Sequence, residues 1–222
     1  EGYAAIPKLG IGEISKQLKS KLHRTEFIFN CEVEEVTSDH ILMRDGEKKS
    51  HDGVILTSNA FSIIPQLKEQ KIEWKDCMCV YFEVDETNIP RNTIALIAEP
   101  GNYANNLYAY TDTGTGKTIL SVTTLQQGKK PDKEIIDTII AEVKKYAGST
   151  HVNYIQHYRI NQALPDVQGL KMTAQPSESQ VLENVFLAGD YLLNGSLNAA
   201  MESGRVAAQG MIQKRKGIRM EQ

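Results

Sequence analysis

The chain has 222 residues, 41% of them hydrophobic and 24% charged, with a net charge of −3 at pH 7. That length buries a sizeable core in one large domain or two small ones, and a pI near 6.0 supplies none of the broad positive field that nucleic-acid binding needs. No apolar run reaches the roughly 18 residues of a membrane-spanning helix.

The sequence starts at Glu1 and already reads as mid-domain, so the expectation is a piece of a longer protein. Ile11, Ile14, Leu18 and Leu22 recur at helical spacing, with Glu13, Lys16, Lys19 and Lys21 elsewhere, which predicts an amphipathic helix over residues 10–23. FIFNCEVEEV and HILMRDGEKKSHDGVILTS read as short strands, broken at Asp45-Gly46 and at His51 to Gly53. VILT, residues 54–57, is an unalternating apolar run of the kind found in a strand buried on both faces, and Ser58, Asn59 and Pro65 punctuate the stretch after it.

From Asp76 to Gln127 the segments MCVYFEV, TIALIAE, NLYAYTDT and TILSVTTLQ are rich in β-branched and aromatic residues, and an antiparallel sheet is expected. DKEIIDTIIAEVKKY then predicts a helix over 132–146, with Ile135, Ile139, Ile140 and Val143 on one face, Asp132 as N-cap and Gly148 beyond the end. HVNYIQHYRI adds a strand before Leu164-Pro165. After the polar stretch QGLKMTAQPSESQ comes NVFLAGD, a short buried strand ending at Gly189-Asp190.

The segment Asn184–Ala208 carries the chemistry. SLNAAMESGRVAAQGMIQK predicts a helix with Leu197, Ala200, Met201, Gly204, Ala208 and Met211 on one side, and its small residues allow very close packing. The free N–H groups and positive dipole end at such a helix start favour an anion, and Gly195 lets a ligand approach the backbone. Asp190 suits a hydroxyl-bearing ribityl or ribose chain better than a phosphate, since like charges repel. Taken alone, Gly-Asp followed by Asn-Gly-Ser more commonly marks a capped turn.

The whole string NVFLAGDYLLNGSLNAAMESGRVAA resembles the C-terminal FAD signature of the flavin amine oxidase, phytoene desaturase and protoporphyrinogen oxidase superfamily. GYAAIPKLGIGEISKQLKSKL resembles the family's Pro-x-Gly-Gly-Met helix start, although Leu9 stands for the first glycine and Ile11 for the methionine; YRINQALP resembles the stretch before the FAD motif. The resemblance implies a mixed α/β and α+β fold: a partial Rossmann-like, glutathione-reductase-type FAD domain in residues 1–62 and 153–222, with an antiparallel-sheet substrate domain inserted at 63–152. It implies FAD as cofactor in the complete protein, held by Val33, Thr57, Gly189, Asp190, Gly195, Ser196 and Leu197. It also implies oxidation of a C–N or C–C bond in a small molecule. The family's opening βαβ unit with its G-x-G-x-x-G loop is absent from these 222 residues, so this chain alone is expected to bind FAD weakly or not at all. A non-catalytic remnant of the fold is the alternative.

Other signals point to structure. TDTGTGKT approaches a P-loop but lacks its first glycine, because Thr111 stands there, and a hairpin turn explains Gly114 and Gly116. Cys31, Cys77 and Cys79 make an odd number, read as free thiols in a reducing, cytoplasmic setting. Cys77 and Cys79 share a strand face, yet no nearby His or Cys completes a metal site. Tyr108, Tyr110 and Tyr158 read as half-buried sheet residues, and no catalytic residue is assigned. QKRKGIRMEQ is read as a solvated helix end, with contact to anionic lipid as the alternative.

Overall fold

The computed structural model describes residues 7–57, 60–125 and 130–217. Helix α1 (Gly12–Ser20) forms where the 3.6-residue spacing places it, yet it buries none of its residues. Its apolar side, with Ile11, Leu18 and Leu22, faces outward. The expected strand through FIFNCEVEEV shrinks to β1 (Val33–Val36). Among the described residues Phe27, Ile28 and Phe29 find no partner strand, and Asn30 in the left-handed region (φ 57°) ends the extended run. β1 pairs antiparallel with β2 (His40–Met43), which pairs with β3 (Lys48–Ser50). The turn at Asp45-Gly46 lies between β2 and β3, with Gly46 at φ 90°.

β4 (Val54–Leu56) is only half-buried, a departure from the expected strand covered on both faces. The cause is its place at the edge of its sheet, where a neighbour shields one side only. The short helix α2 (Ala60–Ile63) comes next and covers the apolar cluster of Val36, Ile64, Val185 and Leu187.

The following stretch builds the largest layer. β5 (Trp74–Val84), β6 (Ile94–Leu96), β7 (Ala104–Thr111) and β8 (Thr118–Thr124) form an antiparallel sheet with β9 (Val152–Pro165), in the order β6-β7-β8-β5-β9. Strand alternation sends Met78, Val80, Phe82 and Val84 to one face. Helix α3 (Asp132–Ala147) covers that face with Ile135, Ile139, Val143 and Ala147, and together they form the main core. The 111–118 connection is the hairpin turn expected from its glycines, closed by Asp112 N–H to Lys117 C=O at 2.9 Å.

Asp132 is not the N-cap of α3: Pro131 takes that position and makes no side-chain cap. Asp132 is instead the first helical residue, and its carboxylate accepts from His157 Nε2 (2.8 Å) and Arg159 Nε (2.7 Å) on β9. The pair holds Asp132 below the ordinary carboxylate range, Arg159 being the larger cause. Gly148 ends α3 in the left-handed region, as its position after the last apolar residue suggests.

β10 (Gln180–Leu182) pairs antiparallel with β11 (Val185–Leu187), and β11 pairs parallel with β4. All three residues of β11 are buried. Helix α4 (Leu197–Arg215) then packs back on β11. Its buried face is Ala199, Ser203, Val206, Ala207 and Gly210, whereas Leu197 and Met201 of the expected face are 49% and 50% exposed. Small size decides the orientation: a Cβ at Gly210 would stand 2.9 Å from the Phe186 ring and 3.0 Å from the Pro176 carbonyl. The result is a mixed α/β fold with antiparallel sheets. Among the described residues no helix is long and apolar enough to cross a membrane.

Candidate functional site

The parallel pair β4 and β11 defines a shared carboxyl end. Ladder bonds run from Val54 N–H to Asn184 C=O (2.9 Å) through Ala188 N–H to Leu56 C=O (2.8 Å), so Thr57 and Gly189 leave the sheet side by side. In open α/β sheets the crevice beyond such ends is where ligands bind. Here a cavity of about 400 Å³ lies there, lined by Thr57, Phe61, Lys71, Trp74, Gln162, Asp190 and Tyr191 among others. Gln162 comes from β9, so the wall is shared between the parallel pair and the five-stranded sheet.

Asp190 opens a single 3-10 turn (Asp190–Leu192). Its carbonyl accepts the N–H groups of Leu193 (3.0 Å) and Gly195 (3.1 Å), which tightens the link to α4. Among the described residues, nothing hydrogen-bonds to or ion-pairs with the Asp190 carboxylate. Tyr191 packs edge-on against Phe61, with ring centroids 5.9 Å apart. Its hydroxyl is buried with no partner among the described residues. Burial, with the nearby Asp190 charge, pushes its pKa up to about 12, so the phenol stays protonated and able to donate.

The start of α4 is capped by Ser196, whose hydroxyl accepts Ala199 N–H at 3.1 Å and donates to Asn194 Oδ1 at 2.7 Å. Among the described residues no acceptor takes the N–H groups of Leu197 and Asn198. They stand at the positive end of a 19-residue helix. Gly195 holds φ 63°, and a Cβ there would stand 3.4 Å from Pro165 Cδ, which explains a glycine at this turn.

The seven residues singled out from sequence thus fall into four places. Thr57 and Asp190 line the cavity. Gly189 sits at the strand end, with its N–H turned inward to Ser203 Oγ (2.8 Å). Gly195, Ser196 and Leu197 form the turn into α4. Val33 packs in the cluster of Val36 and Leu187 and is not part of the cavity wall. Lys71, Trp74, Gln162, Tyr191 and Ser203 were not foreseen: Lys71 lies in a linker without a motif, Trp74 opens β5, and Ser203 carries only the signal of a polar residue in a small-residue helix.

The thiols and histidines build no second centre. Burial and the adjacent Cys79 push the Cys77 thiol up to about 11, away from the reactive thiolate. Among the described residues no three His, Cys, Asp or Glu side chains gather to hold a metal.

A cavity at the carboxyl ends of a parallel strand pair, with a carboxylate on its wall, stands where α/β folds commonly bind ligands. The family model for flavin-containing amine oxidoreductases matches residues 1–212, and the chain belongs to that family. Among solved structures it is similar in fold to putrescine oxidase bound to putrescine, with TM-score 0.60 and 12% identity over 94% of this chain and 52% of that one. An oxidoreductase from Methanosarcina mazei gives TM-score 0.58 and 10% identity over 81% and 49%. A protein from Pyrococcus furiosus gives TM-score 0.55 and 14% identity over 86% and 48%. The chain therefore spans about half the length of these structures. A search among curated proteins finds no match.

Proposed function

We propose that this chain is the part of an FAD-dependent oxidoreductase that carries the C-terminal half of the flavin site and the substrate domain, and that the enzyme oxidises a C–N or C–C bond of a small molecule. The observation that carries the reading is the Asp190 carboxylate, without a partner among the described residues, in the wall of the cavity that Thr57 and Tyr191 also line. That donor and acceptor set fits the group: the carboxylate accepts from a ribityl or ribose hydroxyl, and Tyr191 O–H is a spare donor. The N–H groups of Leu197 and Asn198 face a partial negative charge. The role of Val33 is a backbone contact along β1, outside the cavity. Bound flavin supplies the hydride acceptor; the protein's part is to position and to exclude water.

In this reading residues 1–62 belong to the flavin-binding domain and 63–152 to the substrate domain. The flavin-binding domain resumes over 153–222, with β9, which pairs with β5 from Val152 to Pro165, as the strand between the two. The second reading is a remnant that keeps the fold without the cofactor.

One experiment separates the two. The longer reading frame is expressed and purified, its flavin absorbance is measured, and it is mixed with putrescine and other small amines without oxygen. Co-purifying flavin that bleaches with an amine supports the oxidase reading. A colourless protein that takes up no added FAD supports the remnant.

A further inference from the structure

We propose that Ser203 is a positioning residue for the flavin site. Ser203 is 3% exposed, on the face of α4 turned toward the sheet. Its hydroxyl proton is committed to Ala200 C=O (2.9 Å), so the oxygen has only acceptor capacity left, and it receives Gly189 N–H at 2.8 Å.

That bond fixes the residue before Asp190 to the middle of a helix. Gly189 N–H is thereby withdrawn from ligand binding, and Asp190 beside it lines the cavity with a carboxylate. The corner has little room to adjust: a Cβ at Gly189 would stand 2.2 Å from the Tyr191 ring. Tyr191 in turn leans on Phe61, and the Asp190 carbonyl is tied to Leu193 and Gly195. Among the described residues, only the Ser203 bond anchors Gly189 from the α4 side. Without it a part-buried N–H loses its acceptor, and the chain at Gly189 turns to find another, carrying Asp190 and Tyr191 with it.

The inference rests on the flavin reading above and concerns a residue that does not touch the cavity. Its test uses the complete protein, stripped of flavin and titrated with FAD, with flavin fluorescence quenching as readout. Three variants are compared with wild type: Ser203→Ala, Ser203→Cys and Val206→Ala, the last removing apolar bulk from the same buried face. Ser203→Ala is expected to weaken FAD binding about tenfold or more, as a lost hydrogen bond of this kind does. Ser203→Cys, whose sulfur accepts weakly, is expected to fall between Ala and wild type. Val206→Ala is expected to lower the melting temperature while leaving FAD affinity within about twofold, since sites without shared partners act independently. Equal affinities for Ser203→Ala and wild type overturn the inference, as does an equal loss in Val206→Ala. Should Ser203→Ala not fold, Ser203→Cys decides: wild-type affinity there overturns the inference. A wild-type protein that binds no FAD refutes the flavin reading itself, a separate outcome.

Discussion

The five-stranded sheet with α3 and the smaller layer around β4, β11 and α4 solve different problems. In the first, Phe82, Leu107, Leu120, Ile135 and Ile139 meet in one core, and the sheet face under α3 is closed. In the second, β4 has no partner on one edge among the described residues, and α1 turns Ile11, Leu18 and Leu22 outward. The first region is held by apolar area, at about 1.5–3 kcal/mol for each large side chain buried. The second has smaller apolar clusters, around Val185, Leu187 and Phe186, and adds placed polar contacts such as Ser203 to Gly189 and Ser196 to Ala199. A framework and a site are thus separated in one chain, and they should respond differently to substitution.

The largest effect is expected where apolar bulk is removed from the framework. Phe82→Ala should cost about 3–5 kcal/mol in chemical denaturation, whereas Leu18→Ala on the exposed side of α1 should cost less than about 0.5 kcal/mol in this chain. Equal costs would break the contrast. Next comes a charged group inside the framework. Glu142 is buried and accepts the N–H groups of Tyr103 (2.9 Å) and Ala104 (2.7 Å), so Glu142→Ala leaves two donors without partners and should cost about 2–3 kcal/mol. A near-neutral result would mean that water replaces the carboxylate.

Substitution in the site should show in flavin before it shows in stability. Gly195→Val puts a branched side chain at φ 63° and against Pro165. A folded complete protein with clearly reduced flavin content is expected, with a stability loss of about 1–2 kcal/mol from the left-handed backbone. Unchanged flavin content would show that this turn does not approach the cofactor.

The smallest effect belongs to Asp132, which joins α3 to β9. Its folded pKa lies below the ordinary value. The stability it adds is therefore present above about pH 4, the unfolded value, and is lost as pH falls through the folded one. Asp132→Asn should cost under about 1 kcal/mol at pH 7, because the group is part-exposed and screened. The difference from wild type should shrink in denaturation at about pH 3, below the unfolded value. A gap that widens in acid would reverse the assignment.

How much could be read from sequence depends on the same division. β11 was legible because Val185–Leu187 is an unbroken apolar run between Asn184 and Gly189, and α3 because its isoleucines repeat on one face. The buried face of α4 was not: Leu197 and Met201 carry a stronger apolar signal than Ala199, Ser203 and Gly210, yet close packing selects the small ones. The strand through Phe27–Phe29 failed because local preference cannot supply a partner strand. In the site, Asp190 was singled out at the end of its strand and Thr57 through the resemblance, and both line the cavity. Lys71, Trp74 and Gln162 reach the cavity from a linker and from another sheet, a proximity that exists only once the chain is folded.

Everything proposed for the site turns on whether the cavity at the carboxyl ends of β4 and β11 holds the flavin through Asp190. FAD titration of the complete protein, wild type against Asp190→Ala, asks this without intermediate steps. Stoichiometric flavin is expected in wild type and binding at least about tenfold weaker in the variant, the scale of a lost hydrogen bond to a charged group. Equal affinity in two folded proteins would contradict the assignment.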